Sequence, residues 1–107
     1  PLPIARIGDL AAGSNCYVDP LCCPHDWCGP IITGATRTTC ENKKVARVGD
    51  LGACCCPHGG IYIIVKGATR SFCENRPIAR VTDMVVCTRC GSVGFIISGA
   101  TRSFCEN

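Results

Sequence analysis

Gly67-Ala68-Thr69-Arg70-Ser71-Phe72-Cys73-Glu74-Asn75 decides how the chain is read, because the phrase occurs three times. It stands earlier as Gly34-Ala35-Thr36-Arg37-Thr38-Thr39-Cys40-Glu41-Asn42 and later as Gly99-Ala100-Thr101-Arg102-Ser103-Phe104-Cys105-Glu106-Asn107. The leading glycines lie 33 and then 32 residues apart, and self-similarity at a fixed period is the signature of a repeat architecture. An Ala-Arg-x-x-Asp unit precedes each copy: Ala5-Arg6-Ile7-Gly8-Asp9, Ala46-Arg47-Val48-Gly49-Asp50 and Ala79-Arg80-Val81-Thr82-Asp83. Residues 3–42, 44–75 and 77–107 therefore read as three repeats within one domain spanning 1–107, with no linker between them. Three copies of one unit in one chain can wrap about a single axis as a pseudo-threefold object.

Within each repeat the signals are those of strands. Ile31-Ile32-Thr33, Ile61-Tyr62-Ile63-Ile64-Val65 and Gly94-Phe95-Ile96-Ile97 are short β-rich runs, and no stretch carries the i, i+3, i+4, i+7 spacing of an amphipathic helix. Glu41-Asn42-Lys43 and Glu74-Asn75-Arg76 sit between two such runs, and Asn tolerates the positive φ of a tight hairpin turn. Gly13-Ser14-Asn15 and Asp19-Pro20 mark a first-repeat insertion around Ala11 to Pro20, read as a loop. The expected fold is all-β: a small cone of three pseudo-threefold β-hairpin repeats.

A chain of 107 residues with 12 cysteines is too small for a large core and carries more cysteine than packing needs. Pro1-Leu2-Pro3-Ile4-Ala5-Arg6 has neither the basic nor the apolar region of a secretory signal. A reduced, cytoplasmic origin is expected, in which dense cysteine points to metal before disulfides. The net charge of +3 is modest, and Arg6, Arg47, Arg80, Arg37, Arg70 and Arg102 occupy matching repeat positions. Nucleic-acid binders cluster basic residues on one face among aromatics, so no nucleic-acid partner is expected.

Three donor pairs fall at equivalent places when the repeats are aligned on Gly34, Gly67 and Gly99: Cys22 with His25, Cys55 with His58, and Cys87 with Cys90. Zinc takes four tetrahedral Cys or His ligands in a closed structural site, so six donors leave two over. The competing reading makes some of these thiols small buried hydrophobes. Cys40, Cys73 and Cys105 recur before the turn and read as core residues. Cys16 and Cys28 could pair across the insertion, a pairing disfavoured in a reduced compartment. His25 beside Asp26 resembles half of a catalytic dyad, but no nucleophile with oxyanion donors accompanies it. The repeated Arg and Asp read as strand-end clamps. No catalytic residue and no enzyme activity are expected.

Lys44-Val45-Ala46-Arg47-Val48-Gly49-Asp50, Cys55-Cys56-Pro57-His58-Gly59-Gly60 and Ile64-Val65-Lys66-Gly67-Ala68 resemble the PAAR-repeat proteins. Those proteins cap the spikes of type VI secretion systems, phage tails and related contractile injection machines. Gly34 to Arg47 and Gly67 to Arg80 are both thirteen residues apart, as in that family. The resemblance covers essentially the whole chain. It departs at Thr82 in place of glycine, at cysteine in positions 40, 73 and 105, and in having only two histidines.

The resemblance implies a sharp cone with a Zn2+ near its tip and a broad base docked on a homotrimeric β-helical spike protein. The family's pattern takes one ligand from each outer repeat and a pair from the middle one. Carried over, it gives His25, Cys55, His58 and Cys90, with Cys22 and Cys87 as alternates. It further implies a structural part assembled on the machine and delivered outward, touching a target membrane transiently, with any effector cargo bound non-covalently. The alternative from another class is a zinc-ribbon-like nucleic-acid or protein adaptor built on Cys87-x-x-Cys90, which would need neither three repeats nor six equivalent donors.

Overall fold

A computed structural model describes residues 2–16, 25–54, 60–88 and 91–105. Its strands are β1 (Leu2–Pro3), β2 (Leu10–Cys16), β3 (His25–Pro30), β4 (Thr39–Cys40), β5 (Lys43–Lys44) and β6 (Leu51–Ala53). They continue with β7 (Ile61–Ile64), β8 (Phe72–Cys73), β9 (Arg76–Pro77), β10 (Met84–Cys87), β11 (Val93–Ile96) and β12 (Phe104–Cys105). Among the described residues there is no helix. Six strands form one antiparallel sheet in the order β3-β2-β11-β10-β7-β6. The Ile31–Gly52 bridge joins its two ends into a nearly closed barrel. Strands β2, β6 and β10 run the same way, so the strand ends flanking positions 17–24, 55–59 and 89–90 share one rim.

Three two-stranded hairpins occupy the other half. β4 pairs β5, β8 pairs β9, and β12 pairs not with a following strand but with β1. Leu2–Pro3 thus does for the third repeat what Lys43–Lys44 and Arg76–Pro77 do for the first two, and the chain closes into a ring. The two continuous hairpins turn on Glu41-Asn42 (φ 51° and 71°) and Glu74-Asn75 (φ 52° and 71°). Paired positive φ values define the turn that matches strand twist, as the Glu-Asn pairs predict.

Between hairpins and barrel the chain passes close to the axis. The Ala5 N–H donates to Ala79, Ala79 to Ala46, and Ala46 back to Ala5, each at 3.0 Å. All three alanines are fully buried. Outside this cycle lie others of the same order: Ala35 N–H to Val45, Ala68 to Ile78, and Ala100 to Ile4, at 2.8–2.9 Å. Backbone groups buried in so small a body need partners, and the repeats supply them to one another. The molecule measures 42 × 24 × 23 Å, with two short axes nearly equal as threefold packing requires.

Two sequence expectations change. Ala11 to Cys16 are not loop: they belong to β2, whose ladder with β3 runs from Leu10–Pro30 to Cys16–His25 through an irregularity after Gly13. Part of the insertion therefore lengthens a strand, and backbone pairing overrides the turn preference of Gly-Ser-Asn. Conversely, Ile31-Ile32-Thr33 is not a strand beyond the single Ile31 bridge, because the ladder occupies His25–Pro30 just before it. The disfavoured Cys16–Cys28 pairing is not made. Cys28 is an exposed free thiol opposite Ala12, while Cys16 lies opposite His25.

One residue is held against its preference. Gly8 and Gly49 adopt φ of 94° and 93° just before the clamp aspartates, and the third equivalent, Thr82, is held at 80°. A β-branched residue in that region is strained by about 1–3 kcal/mol. Thr82→Gly is therefore expected to stabilise the fold by about 1 kcal/mol after the extra chain entropy of glycine is discounted. Urea unfolding would show this as a raised midpoint, and a lowered one would mean that Thr82 is supported by its surroundings.

Candidate functional site

The barrel interior is small, and its filling follows from the space left there. At one level the inward positions are Ala11, Gly29, Gly52, Tyr62, Val85 and Gly94, all buried. Five are small and one is aromatic. A Cβ on Gly52 would collide with the Tyr62 ring, and one on Gly29 with the Ala53 carbonyl. The Tyr62 hydroxyl donates to the Gly29 carbonyl at 3.0 Å, which satisfies its polar end in the interior.

At the next level, against the rim, the inward positions are Gly13, Trp27, Cys54, Gly60, Cys87 and Ser92. Again one aromatic lies among small residues. A Cβ on Gly13 would meet the Trp27 ring at 2.5 Å. The Trp27 indole N–H donates to Ser92 Oγ at 3.1 Å, and its ring lies tilted 5.5 Å from Tyr62.

Cys54 and Cys87 sit at this level with their sulfurs 3.7 Å apart, both buried. They are structural equivalents. Each lies four residues after its clamp aspartate, Asp50 or Asp83, and each donates its N–H back across the strand pair, Cys54 to Gly60 and Cys87 to Ser92. Counting backward from the glycines instead matches Cys87 with Cys55, because the third repeat is one residue shorter inside this segment. Cys54 is the residue that sequence reasoning missed, and counting forward from Asp50 and Asp83 would have found it.

Of the expected ligands, His25 lies in β3 opposite Cys16, and Cys87 lies beside Cys54. Cys22, Cys55, His58 and Cys90 fall outside the described residues. Among the described residues no three His, Cys, Asp or Glu side chains converge. Cys54 and Cys87, the two donor side chains described there, are compatible with two corners of a tetrahedral site. Two thiolates on one zinc at ~2.3 Å stand about 3.8 Å apart, close to the separation observed.

The opposite half is an electrostatic frame. Arg6 donates Nε and Nη2 to the two carboxylate oxygens of Asp9 at 2.9 and 3.1 Å, and its backbone N–H adds a third bond at 2.8 Å. Arg47 with Asp50 and Arg80 with Asp83 repeat this geometry, all buried. Each Arg Nη2 then reaches the glycine carbonyl of a Gly-Ala-Thr-Arg phrase: Arg6 to Gly99, Arg47 to Gly34, Arg80 to Gly67. Bidentate pairing of this kind is strong and orienting. These contacts tie each clamp to the strand end it belongs to and to a neighbouring phrase, the strand-end clamp that the spacing suggests.

The glutamates of the Cys-Glu-Asn turns lock one repeat to another. Glu41 accepts from the Thr101 and Arg102 N–H groups and from the Ser103 hydroxyl. Glu74 does the same for Thr36, Arg37 and Thr38. The Arg102 N–H above all, joined by the Thr101 N–H, holds the Glu41 carboxyl at about 2, down from 4.5. The N–H groups of Thr36 and Arg37 do likewise for Glu74, also at about 2.

Against this geometry stands one family comparison. A family model described as the PAAR motif matches residues 57–107, the second half of the chain. No curated protein matches the sequence.

Because both folded carboxyls titrate below their unfolded values, their contribution is complete above about pH 4.5 and is lost as pH falls towards 2. Urea midpoints are expected to hold steady down to about pH 5 and then drop across that window. The E41Q/E74Q double variant should start lower at neutral pH and show a shallower drop. An identical pH profile for wild type and double variant would show that these two contacts carry no pH-linked stability.

Proposed function

We propose, from the PAAR motif that the chain carries, that this protein is the structural tip of a contractile injection machine, capping and sharpening a trimeric β-helical spike. The observation that carries the reading beyond the motif is the closed cycle of Ala5, Ala46 and Ala79 with its three equivalent clamps and cross-repeat glutamate locks. One chain thereby presents an approximately threefold end to a threefold spike. The role is mechanical. A sheath would drive the spike, and the tip would concentrate force on a small area of membrane. Such a part needs rigidity and no catalytic group. Whether the spike belongs to a type VI secretion system or to a phage tail makes no difference to this mechanics, and any effector would ride non-covalently.

Zinc fits the rim end. We assign it Cys54 and Cys87, whose sulfurs lie 3.7 Å apart, completed by donors from among His25, Cys55, His58 and Cys90, with Cys22 in reserve. When bound, the ion would supply a cross-link at the rim end, because metal-binding energy becomes folding energy. The protein's own contribution is to hold the two thiols together at the rim end.

Protein purified without added zinc is expected to hold one equivalent by metal analysis. Cys87→Ser should lose most of it while Cys40→Ser, in the hairpin half, keeps it. Mixed with a homotrimeric spike, one chain should bind per trimer in light scattering. A stable homotrimer of this chain, or no complex with any trimeric spike, would overturn the spike-tip reading. Metal retained in full by Cys54→Ser and Cys87→Ser would overturn the ligand assignment alone.

A further inference from the structure

Gly-Ala-Thr-Arg occurs three times, and the fold accounts for three of its four positions. A Cβ on Gly34, Gly67 or Gly99 would press on the carbonyl of Val45, Ile78 or Ile4 at 2.8–2.9 Å. The carbonyls of the same glycines receive the clamp arginines. Ala35, Ala68 and Ala100 are buried and donate their N–H groups across the repeat boundary. Thr36 and Thr101 give both N–H and hydroxyl to a turn glutamate of another repeat. The fourth position is different. Arg37 and Arg102 give that glutamate only a backbone N–H, which any residue but proline could supply. The side chains of Arg37, Arg70 and Arg102 are exposed, and the guanidinium groups of Arg37 and Arg102 have no hydrogen-bond or ion-pair partner among the described residues.

Exposed neighbours of these arginines differ from copy to copy. Two residues on stand Thr39, Phe72 and Phe104, and across the ladder from those stand Lys44, Pro77 and Pro3. Arginine is kept in all three phrases while its surroundings diverge, so whatever it serves asks the same of every repeat. The bonds of Ala35, Ala68 and Ala100 place the three phrases alike, and the three arginines therefore stand at equivalent points about one axis.

The residue types point to a protein partner. Arg and aromatic side chains are enriched at interfaces, whereas Lys and Glu are depleted there. Phe72 and Phe104, 60% and 53% exposed, lie two residues from Arg70 and Arg102. Beside Arg102 an open cleft of about 320 Å³ runs between Thr101 and the Glu41-Asn42 turn. The Glu41 carboxylate there is already engaged by two backbone N–H groups and lies 3.5 Å from Arg6 Nη1. Its sequence counterpart in the third repeat, Glu106, lies outside the described residues.

We infer that Arg37, Arg70 and Arg102 are the contact points for a homotrimeric protein that offers one carboxylate per subunit at matching positions. Each guanidinium presents a planar fork suited to a carboxylate, so charge meets opposite charge in a defined geometry. A phosphate polymer would suit the charge, but it has no threefold axis to match the arrangement. The inference rests on the spike-tip reading and deepens it, since it names the chemistry of the apex that must meet this chain as acidic and threefold.

The test uses the full chain and one homotrimeric β-helical spike fragment in two forms, its apex carrying Asp and Glu or the corresponding Asn and Gln. A trimeric coiled coil with an acidic end and a DNA duplex are the further probes. Binding to the acidic apex is expected to be at least ~tenfold tighter than to the neutral one at low salt, and the difference should shrink at about 0.5 M salt. Arg37→Gln and Arg102→Gln should each weaken the acidic complex severalfold, and the double variant more. Arg37→Lys and Arg102→Lys should recover part of the loss. All of these variants should keep the wild-type urea midpoint, because the substituted side chains are exposed and unbonded within the described fold.

Equal binding of the two apex forms, or glutamine variants that bind the acidic apex as wild type does, would overturn the inference and leave the spike-tip reading standing. DNA bound as tightly as the acidic trimer, with the same losses in the variants, would also overturn it, since the ring would then read phosphate without regard to symmetry. Binding of the acidic coiled coil through the arginines, but of no β-helical spike, would keep the ring and remove the spike-tip reading. Failure to bind any of the probes would remove both.

Discussion

Three backbone hydrogen bonds around one axis hold the rest of this molecule in place. Ala5, Ala46 and Ala79 donate to one another in a closed cycle, and all three are fully buried. Each alanine is followed at once by a clamp arginine. The cycle therefore fixes where the three guanidinium groups start, and the aspartates three residues on fix where they end. From there the arginines reach the glycine carbonyls of the Gly-Ala-Thr-Arg phrases, and the glutamates of the Cys-Glu-Asn turns tie one repeat to the next. A chain this short gains little from core volume. It substitutes a hydrogen-bonded and ion-paired frame in which each repeat satisfies the backbone of another.

The frame is symmetric, and the filling is not. Six inward positions per level cannot all hold large side chains near the axis of a narrow barrel. Tyr62 fills one level and Trp27 the next, each among glycine, alanine, serine, valine or cysteine. The asymmetry explains why the three copies are not identical in sequence, and why glycine stands at positions 29, 52 and 94, where a neighbouring backbone or ring leaves no space for a Cβ. It also places two thiols side by side at the rim.

Much of the frame was legible because it is local. Glu41-Asn42 and Glu74-Asn75 announce their turn by residue type, and the Ala-Arg-x-x-Asp units announce a clamp by spacing. The barrel was less legible. Its closure depends on pairings between residues far apart, such as Phe95 with Ala12, and on β1 completing a hairpin with β12 across nearly the whole chain. Ala11 to Cys16 read as loop since Gly-Ser-Asn favours turns, but the long ladder with β3 outweighs that preference. For the candidate site, Cys87 stood in the sequence reading only as an alternate ligand, while Cys54 was hidden by a one-residue length difference between repeats. Counting from the clamp aspartates and counting from the glycines give different partners there, and only the strand register decides between them. Among the expected ligands, Cys22, Cys55, His58 and Cys90 lie outside the described residues, so their roles rest on the repeat pattern and the motif.

Hydrogen exchange at the amides of Ala5, Ala46 and Ala79 tests the central claim most directly. If the cycle is the element on which the frame depends, no one of the three can open while the others hold. All three should then exchange with the same free energy, equal to that of global unfolding by denaturant. Exchange at markedly different rates, or through openings well below the global unfolding free energy, would show that the repeats come apart singly and that the cycle is not what binds them.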